Sequence, residues 1–124
     1  MAIKELTRKE EEIMNFFWTH GPLYVKDILE FYDDPKPHFN TVSTIVRGLE
    51  EKGFVAHEAH GKTYRYYASV SQFDMGRRTL KSIVERFFKN SYLGVVSSLV
   101  KDEDITADEL RRLIDEVERN EEKK

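Results

Sequence analysis

The sequence predicts a mainly α-helical chain with one small β-hairpin, and three observations carry the prediction. Apolar residues recur at helical spacing in several separate segments, two runs of strand formers flank a short connection containing glycine, and two capping boxes mark helix starts. With 124 residues there is room for one domain or two small lobes, and too little chain for most multilayer catalytic folds.

Thr7-Arg8-Lys9-Glu10 fits a capping box, in which Thr7 and Glu10 satisfy free backbone donors, and Ile13, Phe16 and Phe17 follow at helical spacing. This predicts a first helix over about residues 7–20, stopped by Gly21-Pro22. Val25, Ile28, Leu29 and Tyr32 then take the i, i+3, i+4, i+7 positions of a second amphipathic helix. Asp33-Asp34-Pro35-Lys36-Pro37 disfavours helical geometry and reads as a loop. In the segment 38–52, Val42, Ile45, Val46 and Leu49 repeat the helical spacing, predicting a third helix with Gly53 at its C-terminal cap. The runs 54–58 and 63–67 are rich in strand formers, and Ala59-His60-Gly61-Lys62 between them reads as a hairpin connection with Lys62 and His60 at the tip. Tyr64 and Tyr66 alternate with Arg65, so both tyrosines are expected to pack inward, and Trp18 is expected in the core. Three helices followed by a hairpin is the order of a winged helix-turn-helix.

Beyond Val70 the pattern changes. Leu80, Ile83, Val84, Phe87 and Phe88 form one apolar stripe and Tyr92, Leu93, Val95, Val96, Leu99 and Val100 another, with Asn90 and Gly94 expected to break or bend the path between them. A second capping box, Thr106-Ala107-Asp108-Glu109, opens a last helix carrying Leu110, Leu113, Ile114 and Val117, and the charged tail from Glu118 is expected to fray. About fifty residues cannot enclose so many large apolar side chains unaided. Self-association about a two-fold axis is the commonest remedy. The expected organisation is therefore a winged helix at 1–70 and a helical dimerisation domain at 71–124. The interface is assigned to Leu80, Ile83, Val84, Phe87, Phe88, Leu99, Leu110, Leu113, Ile114 and Val117.

Function classes are bounded by composition. The chain has no cysteine, which excludes disulfides, thiolate catalysis, zinc fingers and iron–sulfur clusters, and leaves the cytoplasm as the expected compartment. No apolar run is long enough to span a bilayer, and the first residues lack the apolar core of a signal peptide, so neither membrane insertion nor export is expected. No phosphate-cradling loop, nucleophile elbow or convincing carboxylate pair is present, so neither enzyme activity nor a cofactor is expected. His57 and His60 on a strand and its turn lack the convergent geometry of a metal site, and none is assigned.

The formal net charge is −3, so any nucleic-acid site must be local. One face of the third helix offers such a place. Asn40, Ser43, Thr44 and Arg47 recur there at i, i+3, i+4, i+7 without a carboxylate among them, and a surface lying against phosphates tolerates amides, hydroxyls and guanidinium. Residues near the start of that helix face the major groove in helix-turn-helix proteins. Lys62 and His60 at the hairpin tip and Arg65 on its second strand are the candidate phosphate contacts.

LTRKEEEIMNFFW at the start, FNTVSTIVRGLEEKGFV through the third helix, GKTYRYYASVS through the hairpin and SLVKDEDIT before the last helix together resemble the penicillinase repressor family, over nearly the whole chain. The resemblance implies a homodimeric transcriptional repressor that binds palindromic double-stranded operator DNA. It makes the third helix the recognition helix, with Asn40, Thr41, Ser43, Thr44 and Arg47 facing bases and phosphates. Thr41-Val42-Ser43-Thr44 matches the family's T-V-x-T pattern, while Gly48 stands where members commonly carry a basic residue. Relatives are induced through a membrane sensor protease or through copper bound by cysteines. The second route is closed by composition. The first would place the cut near Ser98-Leu99, although the family's asparagine–phenylalanine pair is absent. The alternative reading is a winged-helix module for protein–protein interaction without specific DNA binding.

Overall fold

The computed structural model describes residues 6–122. Its elements run α1 (Arg8–His20), α2 (Val25–Leu29), α3 (Phe39–Glu51), β1 (Val55–His60), β2 (Thr63–Ala68), α4 (Gln72–Phe87), α5 (Tyr92–Lys101) and α6 (Ala107–Glu122). Two compact units divide between Thr79 and Leu80.

In the first unit, α1 starts at the expected capping box. The Thr7 N–H donates to Glu10 Oε1 at 2.9 Å and the Glu10 N–H donates to Thr7 Oγ1 at 3.2 Å. Ile13, Met14 and Phe17 of this helix are buried with Val25 and Ile28 of α2 and Val42, Val46 and Leu49 of α3. Phe54, Val55 and Tyr66 close the core from the hairpin side, joined by Val70 and by Met75 from the first turn of α4. Trp18 is only partly buried against this core, and its indole N–H donates to the Val70 carbonyl at 2.9 Å.

The second helix is shorter than its apolar spacing suggests. It ends at Leu29, and i→i+3 bonds from Glu30, Phe31 and Tyr32 carry the chain on as turns. The Lys36 ammonium donates to the Leu29 and Tyr32 carbonyls at 3.1 and 2.8 Å, satisfying acceptors that a continuing helix would have used. At the end of α3, Gly53 has φ +86°, its N–H donates to the Glu50 carbonyl and the Phe54 N–H donates to the Leu49 carbonyl. This is a Schellman closure that turns the chain into β1.

Strands β1 and β2 pair antiparallel from Val55↔Ala68 to His60↔Thr63. The connection is therefore Gly61-Lys62 alone, two residues shorter than expected, with Gly61 at φ +63° as a tight hairpin turn requires. Leu23, in the turn between α1 and α2, forms an antiparallel bridge to Tyr66, with both N–H···O bonds at 2.8 Å.

In the second unit, α4 ends at Phe87 and positive φ values at Lys89 and Asn90 make the break. Gly94 does not contribute to it. It lies inside α5, where its N–H donates to the capping Ser91 Oγ at 3.0 Å, and a β-carbon at 94 would stand 2.8 Å from that oxygen. The capping box at Thr106 and Glu109 forms as expected. Residues 118–122 continue α6 instead of fraying, in keeping with the high helix propensity of Glu and Arg. Lys123 and Lys124 lie outside the described residues.

Candidate nucleic-acid interface

The polar face of α3 rests on a helix whose opposite side is locked into the core by Val42, Val46 and Leu49. The first turn carries no acidic residue, and the His38 ring caps it by accepting from the Asn40 N–H at 3.0 Å. Asn40, Thr41, Thr44 and Arg47 are exposed and Ser43 is half-buried. The Thr44 hydroxyl donates to the Asn40 carbonyl at 2.8 Å, and Arg47 Nη2 lies 3.5 Å from that hydroxyl. The guanidinium thus lies along the stripe without a carboxylate partner among the described residues.

The hairpin lies across the start of α3 and leaves a groove of about 230 Å³, lined by Tyr24, Lys26, Phe39, Ser43, Lys62 and Tyr64 among others. Lys62 at the tip and Lys26 on α2 stand on the groove, and neither is ion-paired among the described residues. Sequence reasoning missed Lys26. Its signal was the odd placement of a lysine two residues after Tyr24 at the start of a short helix, and its ammonium lies 5.7 Å from the Tyr24 ring centre.

Cross-strand pairing separates the remaining candidates. Tyr64 and Tyr66 share a face with Ala59 and His57, whereas Arg65 and Thr63 share the other with Glu58 and His60. Tyr66 is core, but Tyr64 is half-exposed and stacks on the His57 ring with centres 4.2 Å apart, so only one of the two tyrosines packs inward. Arg65 lies beside Phe17, Gly21, Pro22 and Tyr67 in a second depression and reaches Glu58 Oε2 at 3.4 Å. His60 Nε2 approaches the same carboxylate oxygen at 3.5 Å. The structure therefore brings Ser43 and Lys62 together with Lys26 on the groove, leaves Asn40, Thr41, Thr44 and Arg47 exposed along α3, and puts Arg65 and His60 on the hairpin face that carries Glu58, with the His60 ring centre 6.1 Å from that of Tyr24.

Two side-chain contacts tie α3 to its neighbours. Glu10, buried at 8% exposure, receives the Lys52 ammonium on both carboxylate oxygens at 2.8 Å. Burial alone would raise its pKa, but the Lys52 contact and the Thr7 backbone bond outweigh it and hold Glu10 below the usual carboxylate range. Glu50 meets His57 Nδ1 across the α3–β1 junction. Burial pushes the neighbouring Tyr66 hydroxyl up, the Glu50 carboxylate adds to the rise and Arg47 opposes it.

In the second unit, Leu80, Phe87, Phe88, Leu113, Ile114 and Val117 are exposed, and Ile83, Leu99 and Leu110 are half-buried. Val84 is 1% exposed and so already enclosed within the chain. Ser98 and Leu99 lie inside α5, Ser98 exposed. Among the described residues no cluster of metal-ligating side chains forms, and no helix is long and apolar enough to cross a membrane.

Three packed helices, a hairpin wing and an acid-free polar stripe on the third helix define a winged helix-turn-helix protein of the class that regulates transcription by binding DNA. The penicillinase repressor family pattern matches residues 6–119, and the chain belongs to that family. The methicillin resistance regulatory protein MecI of Staphylococcus aureus (strain N315) is 28% identical over 112 residues, covering 88% of this chain and 89% of that protein. The proteins of the same name from Staphylococcus epidermidis and Mammaliicoccus sciuri show the same identity and coverage.

Proposed function

We propose that the protein is a cytoplasmic, homodimeric transcriptional repressor that binds palindromic operator DNA, with α3 in the major groove and the hairpin on the adjoining backbone. The observation that carries the reading is the exposed polar stripe of α3, whose first turn carries no acidic residue, beside a groove on which Lys26 and Lys62 stand without ion pairs among the described residues, in a chain whose net charge is −3. Asn40, Thr41, Ser43, Thr44 and Arg47 supply contacts to base edges and phosphates, and Lys26 and Lys62 hold phosphates on either side. His60 and Arg65 join only through phosphates beyond the hairpin face that carries Glu58, after release from that carboxylate. The exposed apolar residues of α4 and α6 form the two-fold interface, which sets two half-sites a whole number of helical turns apart, about 34 Å per turn. Induction by a membrane sensor protease at Ser98-Leu99 belongs to the same reading. It requires local unwinding of α5, and recovery of the intact chain from induced cells overturns it.

The test is fluorescence anisotropy against the DNA upstream of the protein's own gene and a scrambled control, across a salt series, with sedimentation of the complex. Preferential binding by two chains that weakens steeply with salt is the expected result. Equal, weak and salt-insensitive binding of both duplexes overturns it in favour of a protein-interaction module.

A further inference from the structure

Phe39 is the first residue of α3 and is 49% exposed. It sits at the border between the buried stripe and the polar stripe, four residues before Ser43 and eight before Arg47, so the three side chains form one row down the helix. Other exposed rings nearby are partnered: Phe31 stacks on His20 with centres 4.2 Å apart, and Tyr64 stacks on His57. Among the described residues Phe39 has no aromatic partner. It lines the same groove as Ser43, Lys26 and Lys62, so an apolar surface faces outward between a hydroxyl and two cations.

Nothing in the packing of the first unit requires an exposed phenyl ring there, since its core is closed by Val42, Val46 and Leu49 from the same helix. A ligand that satisfies the whole row must offer phosphates to the lysines, hydrogen-bonding edges to Ser43 and Arg47, and an apolar group to the ring. On the major-groove edge of B-DNA the apolar group is the thymine C5-methyl. We propose that Phe39 is a specificity-determining residue that reads a thymine by packing its ring against that methyl group. The inference rests on the DNA-binding reading above and narrows it to a thymine in each half-site, at the position facing the first turn of α3.

Deoxyuridine differs from thymidine by that methyl alone and keeps its hydrogen-bonding groups. A duplex selected from a random-sequence pool on the full-length protein is resynthesised with deoxyuridine at one symmetric pair of thymines at a time. Each version is bound to wild type, Phe39→Ala and Phe39→Leu. At one position the wild type loses about fourfold in affinity per methyl removed. Phe39→Ala binds the thymine and deoxyuridine duplexes equally, and Phe39→Leu, which keeps an apolar surface, retains part of the dependence. A wild type indifferent to every thymine methyl overturns the proposal, as does a Phe39→Ala variant that keeps the full loss. Failure of the wild type to select any duplex overturns instead the DNA-binding reading beneath it.

Discussion

Replacing Lys52 by methionine removes the cation that α3 sends to the buried carboxylate of α1. The pair has two contacts of 2.8 Å, and the exposures of its side chains are 31% for Lys52 and 10% for Glu10. Breaking a fully buried pair costs about 3–5 kcal/mol, and an exposed pair is worth about 0.2–1. With one partner buried and the other a third exposed, and with the Thr7 N–H still donating to Glu10, the loss is about 2 kcal/mol at pH 7. With a urea slope of about 2 kcal/mol per molar, the midpoint falls by about 1 M at fixed protein concentration. The pH dependence has a definite sign. Glu10 is depressed in the folded state, so the stability it confers is complete above the unfolded carboxylate range and is lost as pH falls through the folded value. The gap between wild type and Lys52→Met therefore narrows on acidification towards pH 3. A gap below about 0.5 kcal/mol at pH 7, or one that stays constant on acidification, refutes the assignment.

Arg47→Ala costs about 1–3 kcal/mol of operator binding if the guanidinium reads a base, and weakens all duplexes alike if it holds a phosphate; an unchanged affinity for every DNA removes it from the site. Lys62→Ala weakens all duplexes and lowers the slope of log affinity against log salt by about 1, which anisotropy at several salt concentrations measures. Gly61→Val forces a branched residue into φ +63° and costs about 1–2 kcal/mol of stability, checked by urea unfolding. Leu113→Glu, at an exposed position of α6, shifts sedimentation from dimer to monomer while leaving the helical circular dichroism intact.

What could be read from the sequence was what local chemistry decides. Both capping boxes depend on residues three apart, and both form as their spacing predicts. The stripe from Asn40 to Arg47 was equally legible, because a helix of regular period places its faces by counting. Errors arose where distant groups compete with local preference. Nothing in the spacing of Val25, Ile28, Leu29 and Tyr32 reveals that Lys36 will take the carbonyls at the end of α2. The placement of Arg65 was within reach, since alternation with Tyr64 and Tyr66 sends it to the opposite face, but its pairing with Glu58 needed the strand register. Lys26 joins the groove only because the hairpin folds back over α3, a long-range event that no local pattern encodes.

The bridge between Leu23 and Tyr66 is made by backbone atoms alone. Any residue except proline can supply it, so side chains along the wing can change without releasing the strand from the turn before α2. Such a joint separates where the wing stands from what it carries. Substitutions at its tip can alter what the wing touches while its distance to α3 is kept, and a proline at 23 or 66 would forfeit that freedom by cutting the anchor itself.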